Sequence, residues 1–171
     1  RIDVTRVINA STRRGPFQAK IGSGMTVEAF MAKMESGRMG HVGLPESMGM
    51  LFDTLGRRLE RYEDSVEPVV ANVQTDTDAF SVAPGLGKGL KQVARGFDAH
   101  GDFATLTFIA ALDMPNDGDV IKITGVPDLE VRLHGTNGDL STVAMAVNAV
   151  RRVHEAPAGL MTMRDIPPVT A

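Results

Sequence analysis

The chain lacks several features that define common functional classes. It has 171 residues and no cysteine, which excludes disulfides and thiolate metal sites and favours a reducing compartment; we expect a cytoplasmic protein. No apolar run approaches the roughly 18 residues of a membrane-spanning helix, and no signal-peptide pattern is present. The 18 Lys and Arg residues are scattered and the net charge is only −3, so we expect neither nucleic acid nor a membrane as partner.

What is present suits a globular α+β domain. Hydrophobic residues make up 43% of the chain and charged residues 23%, enough apolar mass for a core. The chain opens at Arg1, without methionine, and enters an apolar alternation at once. We therefore expect a piece of a longer protein.

The hydrophobic periodicity predicts the elements. Residues 2–10 alternate as a strand, and Thr26 is a suitable N-cap for a helix that Gly37 ends. A second helix is expected from near Pro45, and a third over residues 141–154. Further strands are expected from near Pro68 and over residues 89–99, 103–113, 120–125 and 129–134, with residues 11–24 as a loop.

These elements predict an α+β fold: a mixed, largely antiparallel sheet, arranged as a meander, with helices packed on one face. Its other face is expected to carry Leu, Ile and Thr instead of Lys and Glu, and thus to bury itself against a second copy in a homo-oligomer. We divide the chain into residues 1–140, for substrate binding and oligomerisation, and residues 141–171, a helix and tail.

Two glycine-rich turns precede predicted helices. In "QAKIGSGMT", Gly22, Ser23 and Gly24 would let an anion approach backbone N–H groups beside the helix that Thr26 caps, and Lys20 would supply a charge or a proton. A flexible loop with a solvated lysine is the commoner use of such a segment.

The second turn, "GHVGLPES", holds His41 and Ser47 at the start of the next helix. His41 could donate to a carboxylate or shuttle a proton, or it could simply bond a carbonyl and hold the turn. Arg13, in a basic pair, could clamp a carboxylate or remain solvated. His134 lies in a third glycine-rich turn, and a plain strand-to-helix connection is equally compatible. No metal-ligand spacing is found among the 4 histidines.

Three segments carry a family resemblance: "KIGSG", "GHVGLPES" and "NAV…APAGLMTMRDIP", in that order. The chain resembles the C-terminal part of the dihydrodipicolinate reductase-like dehydrogenases, in the branch that includes 2,4-diaminopentanoate dehydrogenase. The resemblance implies an NAD(P)-dependent oxidoreductase with its Rossmann domain outside this chain. No cofactor is then expected in this chain, which alone would be inactive, and residues 141–171 would pack on the absent domain.

The resemblance also implies roles. Lys20 would carry a proton as hydride moves, with His41 second, while Arg13, Gly22, Ser23, Gly24, Thr26, Ser47 and His134 would bind substrate. The histidine pair of dihydrodipicolinate reductases is absent, so an amino or imino acid is the expected substrate. The alternatives are a non-catalytic dimerising module that binds small anions and, last, a hydrolase with His41 as base.

Overall fold

A computed structural model describes residues 1–37, 39–135 and 137–167. The chain divides into two compact units after Gly135. The boundary expected from the sequence, between residues 140 and 141, falls instead within the first turn of a helix, Gly138–Glu155.

The first unit contains eight strands and three helices among its described residues. In chain order they are β1 (Ile2–Asn9), α1 (Gly15–Lys20), α2 (Val27–Glu35), α3 (Leu44–Thr54), β2 (Arg61–Val70), β3 (Thr75–Asp76), β4 (Ser81–Val82), β5 (Gly87–Asp98), β6 (Gly101–Ala111), β7 (Gly118–Ile123) and β8 (Leu129–His134).

Six of these strands form one sheet in the order β2-β5-β6-β1-β7-β8, and β3 pairs with β4 separately. Within the large sheet β1 runs parallel to β6, and every other neighbouring pair is antiparallel. The predicted fold class, a mixed and largely antiparallel sheet with helices, is therefore confirmed. The simple meander is wrong, because β1 inserts between β6 and β7 and separates two strands that are consecutive in sequence.

Helices α2 and α3 pack on one face of the sheet. A Cβ added at Gly96 of β5 would lie 2.6 Å from Sδ of Met48 and 2.7 Å from Cε2 of Phe52, so α3 rests directly on this strand. Met48 and Phe52 of α3 are fully buried, and so is Phe30 of α2. Truncating such a phenylalanine to alanine typically costs about 3–5 kcal/mol, which makes these side chains the main anchor of the helices.

Two segments differ from the sequence prediction. The strand expected near Pro68 begins at Arg61, because Tyr62 and Val66 alternate toward the helices while charged residues between them hide the period. The expected loop contains α1, with Pro16 in its first turn. Buried Gln18 fixes this segment by donating from Nε2 to the carbonyls of Ser11 and Arg13.

The opposite face of the sheet is more charged than predicted. Its central strands carry half-buried, mostly uncharged residues, namely Thr5, Val7, Thr105, Thr107 and Ile109. Ion pairs lie toward its edges: Lys91 with Glu67 at 2.8 Å, Arg95 with Asp102 at the start of β6, and Lys122 with Glu130 at 3.6 Å. The expectation that Lys and Glu avoid this face is therefore wrong at its edges.

The second unit contains α4 (Gly138–Glu155). This helix starts earlier than predicted because Oδ1 of Asn137 accepts hydrogen bonds from the N–H groups of Asp139 and Leu140 and so caps it. None of its described residues is buried, and Val147 and Val150 are exposed. Across the described residues, no helix combines the length and apolar character that crossing a membrane requires.

Candidate functional site

A cavity of about 300 Å³ opens on the helix-bearing face of the first unit. Its walls come from β1, β6, β7 and β8 and from the first turn of α3. Most of the lining is apolar, from Val4, Leu44, Leu106, Phe108, Ile121 and Leu133. The charged and titratable groups that face this apolar lining are Arg6, His41 and Asp119, with Ser47 beside them. A few polar groups in an apolar concavity are the usual composition of a small-molecule site.

His41 is held at the rim of this cavity by its backbone. Its N–H donates to Oε1 of Gln92 at 2.6 Å, and Nε2 of Gln92 donates to Oδ2 of Asp64 at 2.8 Å. Gln92 is only 3% exposed, so both of its ends are satisfied inside the protein. Gly40 approaches the same amide with φ of +103°, where a Cβ would lie 3.2 Å from Oε1. The turn before α3 is thus clamped onto β5.

The imidazole of His41 has a defined orientation. Its Nδ1 accepts a hydrogen bond from the N–H of Gly43 at 3.0 Å, and its ring meets Phe108 edge-on with centroids 5.0 Å apart. A nitrogen that accepts carries the lone pair, so the proton of the neutral ring lies on Nε2. In this geometry His41 offers an N–H donor, and its lone pair is already engaged.

Arg6 and Asp119 form a bidentate ion pair across neighbouring strands of the cavity. Nε of Arg6 donates to Oδ1 of Asp119 at 2.6 Å, and Nη2 donates to Oδ2 at 2.8 Å. These hydrogen bonds raise the pKa of the Arg6 guanidinium above its already high ordinary value. Sequence reasoning missed both residues; the signal available was a charged residue at an apolar-face position of each strand.

The structure places Lys20 apart from His41 and Ser47. His41 and Ser47 line the cavity, whereas Lys20 ends α1 in an exposed position and is not among the lining residues. The two turns are nevertheless neighbours, because a Cβ added at Gly22 would lie 3.3 Å from Cε of Met39.

The "KIGSG" turn uses its N–H groups within the protein. Gly22 donates to the carbonyl of Ala19 at 3.1 Å, Ser23 to Gln18 at 3.1 Å, and Gly24 to Gly87 at 2.8 Å. Buried backbone donors must be paired, and here neighbouring carbonyls pair them. The N–H groups that the sequence offered for anion binding therefore have acceptors within the protein.

The remaining predicted residues have structural surroundings of their own. Thr26 caps α2, its Oγ1 accepting from the N–H of Ala29 at 3.1 Å. The Arg13 guanidinium lies 4.5 Å from the ring centroid of Phe17. His134 ends β8 and lines a second cavity, of about 280 Å³, together with Asp119. Arg13 and His134 are not among the residues that line the cavity at His41.

The whole chain, residues 1–171, matches the family described as the 2,4-diaminopentanoate dehydrogenase C-terminal domain. The chain belongs to this family. It is 31% identical over 173 aligned positions to a 2,4-diaminopentanoate dehydrogenase from Acetoanaerobium sticklandii, covering 96% of the chain and 49% of that protein. Its fold matches the amine dehydrogenase from Mycobacterium smegmatis with a TM-score of 0.86 and 19% identity, over 99% of this chain and 52% of that one.

Membership of the 2,4-diaminopentanoate dehydrogenase family confirms the resemblance predicted from the glycine-rich turns and the C-terminal segment. The match to a solved amine dehydrogenase confirms the fold. The chain spans about half the length of the relatives it matches, so it corresponds to one part of such an enzyme.

The described residues of this family member contain no Rossmann-type βαβ unit. Only β1 and β6 are parallel neighbours there, and β2–β5 intervene between them in sequence, so they are not a βαβ unit. A βαβ unit with a glycine-rich turn at its helix N-terminus is a common dinucleotide-binding arrangement. The same residues contain no cluster of three or more His, Asp or Glu able to hold a metal ion.

Proposed function

We propose that this chain is the substrate-binding domain of an NAD(P)-dependent amine or amino-acid dehydrogenase, with the nicotinamide bound by another part of the full-length protein. Membership of the 2,4-diaminopentanoate dehydrogenase family supports the class of enzyme. The observation that carries the proposal is the cavity in which His41 and an Arg–Asp pair face an apolar lining.

The chemistry of this cavity suits a small polar metabolite. Apolar walls from Val4, Leu106 and Ile121 surround the polar groups, and apolar surroundings strengthen electrostatic contacts. His41 offers Nε2–H to an acceptor on the substrate, and Ser47, in the first turn of α3, lines the same cavity. These groups orient a substrate; Lys20 remains the proposed carrier of a proton.

We further propose that the opposite face of the sheet mediates self-association in the cytoplasm. Its central strands present Thr107 and Ile109, half-buried and uncharged, between rows of ion pairs. An uncharged centre with a polar rim is the usual anatomy of a protein interface. Light scattering on the full-length protein should give a dimer or larger at micromolar concentration, and Ile109→Glu should shift it toward the monomer. A wild-type monomer at that concentration would contradict this part of the proposal.

The enzymatic proposal is tested on protein expressed from the complete reading frame. With NAD⁺ or NADP⁺ and 2,4-diaminopentanoate, we expect reduced nicotinamide and ammonia to form in equal amounts. The 171-residue chain by itself should produce neither. If none of the amines or amino acids tested supports nicotinamide reduction by the full-length protein, a non-catalytic module that binds small anions becomes the better assignment.

A further inference from the structure

We propose that Arg6 binds the carboxylate of the substrate and that Asp119 positions Arg6 for this task. The inference rests on the proposed function and narrows it. A cavity with a guanidinium aimed at one end selects an amino acid over a simple amine. Arg6 is then the residue that determines specificity.

The ion pair with Asp119 leaves one edge of the Arg6 guanidinium available to a substrate carboxylate. Asp119 accepts from Nε and from Nη2, which occupies one edge of the planar guanidinium. The edge formed by Nη1 and the second hydrogen of Nη2 points away from Asp119, and a guanidinium edge matches a carboxylate with two parallel hydrogen bonds. Asp119 thereby fixes the plane and rotation of the group that would receive a second carboxylate.

The solvent exposure of Arg6 and Asp119 also supports Arg6 as the group that binds the substrate. The side chain of Asp119 is 18% exposed, whereas that of Arg6 is 58% exposed and lines the cavity. Asp119 is thus the more buried of the two, and the guanidinium of Arg6 is accessible to a ligand in the cavity.

Stability alone does not account for this placement. The pair lies among Val4, Ile121 and Leu133, in surroundings that could have been entirely apolar. The Arg6 side chain is more than half exposed, and an exposed ion pair contributes little net stability because solvent screens the attraction of the charges. A charged pair retained in a concave apolar site is more readily explained by a charged ligand.

His41 gives the cavity a second recognition point. Its Nε2–H is a donor in the same cavity, held by the contact of Nδ1 with Gly43. Anchoring the carboxylate on Arg6 would fix which end of the substrate faces His41. This is how one positioned cation can set the orientation of the reacting amine carbon.

The test uses two compounds that differ only by the carboxylate: 2,4-diaminopentanoate and butane-1,3-diamine. On the full-length protein, kcat/KM is measured for each with wild type, Arg6→Gln and the control Arg58→Gln. The control removes the same charge from an exposed position outside the cavity. We expect Arg6→Gln to lower the preference for the carboxylate compound by about 10²–10³-fold, from the strength of hydrogen bonds to charged groups. Arg58→Gln should leave that preference unchanged.

Two further variants isolate the role of Arg6. In Arg6→Gln the bared carboxylate of Asp119 could itself repel the substrate, so Arg6→Gln/Asp119→Asn is measured as well. The proposal requires the preference to stay low in this double variant; recovery to the wild-type value would show that Arg6 only neutralises Asp119. Arg6→Lys should keep part of the wild-type preference for the carboxylate compound, because lysine keeps the positive charge but cannot form the bidentate hydrogen bonds.

The same variants are compared in a calorimetric binding assay with both compounds. If wild type turns over neither compound, the proposed function fails, and binding still decides this inference: the carboxylate compound must bind wild type, and Arg6→Gln must weaken it by about 10²-fold. If Arg6→Gln weakens both compounds equally, or neither, or if wild type binds neither, Arg6 is not a carboxylate anchor.

Discussion

The backbone N–H of His41 donates a 2.6 Å hydrogen bond to Oε1 of Gln92, a residue 51 positions later in the chain. Gln92 is in turn held by Asp64, whose Oδ2 also accepts from the hydroxyl of Tyr62 at 3.1 Å. The rim of the cavity is therefore supported by a chain of polar contacts that runs from buried Gln92 to Asp64 and Tyr62 of β2. Changes to this network should alter the position of His41 without touching its ring.

Replacing Gln92 with leucine should destabilise the protein by about 1–3 kcal/mol. The substitution keeps the size of the side chain but leaves the N–H of His41 without its acceptor and removes a donor from Asp64. Urea unfolding measures the loss. The matched control is Gln74→Leu, since Gln74 is exposed and bonds only near the surface to Asp76 and Ser81; a change there as large as at Gln92 would argue against the network.

Replacing Gly43 with alanine should displace the ring of His41. The backbone at Gly43 has φ of −87°, which alanine adopts freely, but the new Cβ would lie 2.8 Å from Cε1 of His41. We expect a cost of about 1–2 kcal/mol and a changed tautomer signal in the histidine NMR spectrum.

Gly49→Ala serves as the control for that variant. Gly49 lies in the same helix, and nothing lies within 4 Å of an added Cβ. This change should raise stability by about 0.5–1 kcal/mol and leave the His41 signal in place. An unmoved His41 signal in Gly43→Ala would refute the proposed contact.

Tyr62 should ionise only at strongly alkaline pH. Burial, and then the negative charge of Asp64 and the hydrogen bond to it, raise the pKa of this phenol. The unfolded chain has a phenol pKa of about 10, so the contribution of Tyr62 to stability is complete below that pH and is lost as the pH rises toward the folded pKa.

The measurement is unusually direct because Tyr62 is the only tyrosine in the sequence. Phenolate absorbance should appear near pH 10 in urea and well above it in the native protein, and Tyr62→Phe should flatten the alkaline fall in stability. The same midpoint in native and unfolded protein would contradict this assignment.

Lys20 and His41 are separable by kinetics on the full-length protein. If Lys20 carries the proton, Lys20→Met should lower kcat by about 10²–10⁴, whereas Lys33→Met, on α2, should not. If His41 donates a hydrogen bond from Nε2, His41→Gln should be considerably more active than His41→Ala, because the side-chain amide of glutamine can also donate. A kcat within a few-fold of wild type for Lys20→Met would remove Lys20 from the mechanism.

Local pattern predicted the elements better than it predicted their arrangement. β8 was expected over its observed range and β5 nearly so, because both alternate and are bounded by turn residues. The position of β1 could not be predicted, since pairing Ile2 with Ala104 is not encoded in either segment alone.

The same limit applies to the site. Arg6 and Asp119 are 113 residues apart and meet only once the register of β1 and β7 is fixed. His41 and Ser47 were singled out because a glycine turn before a helix is a local feature. The composition of "KIGSG" suggested free N–H groups, but it could not reveal that Gln18 and Gly87 accept from them.

The central position of β1 has a consequence for biosynthesis. Among the strands of this sheet β1 is synthesised first, and both of its sheet partners, β6 and β7, lie about a hundred residues downstream. At elongation rates of about 5–20 residues per second, this apolar segment waits for at least several seconds before it can pair. The sheet can close only after β6 and β7 have been synthesised, and in that interval β1 is the segment for which a chaperone would be most useful.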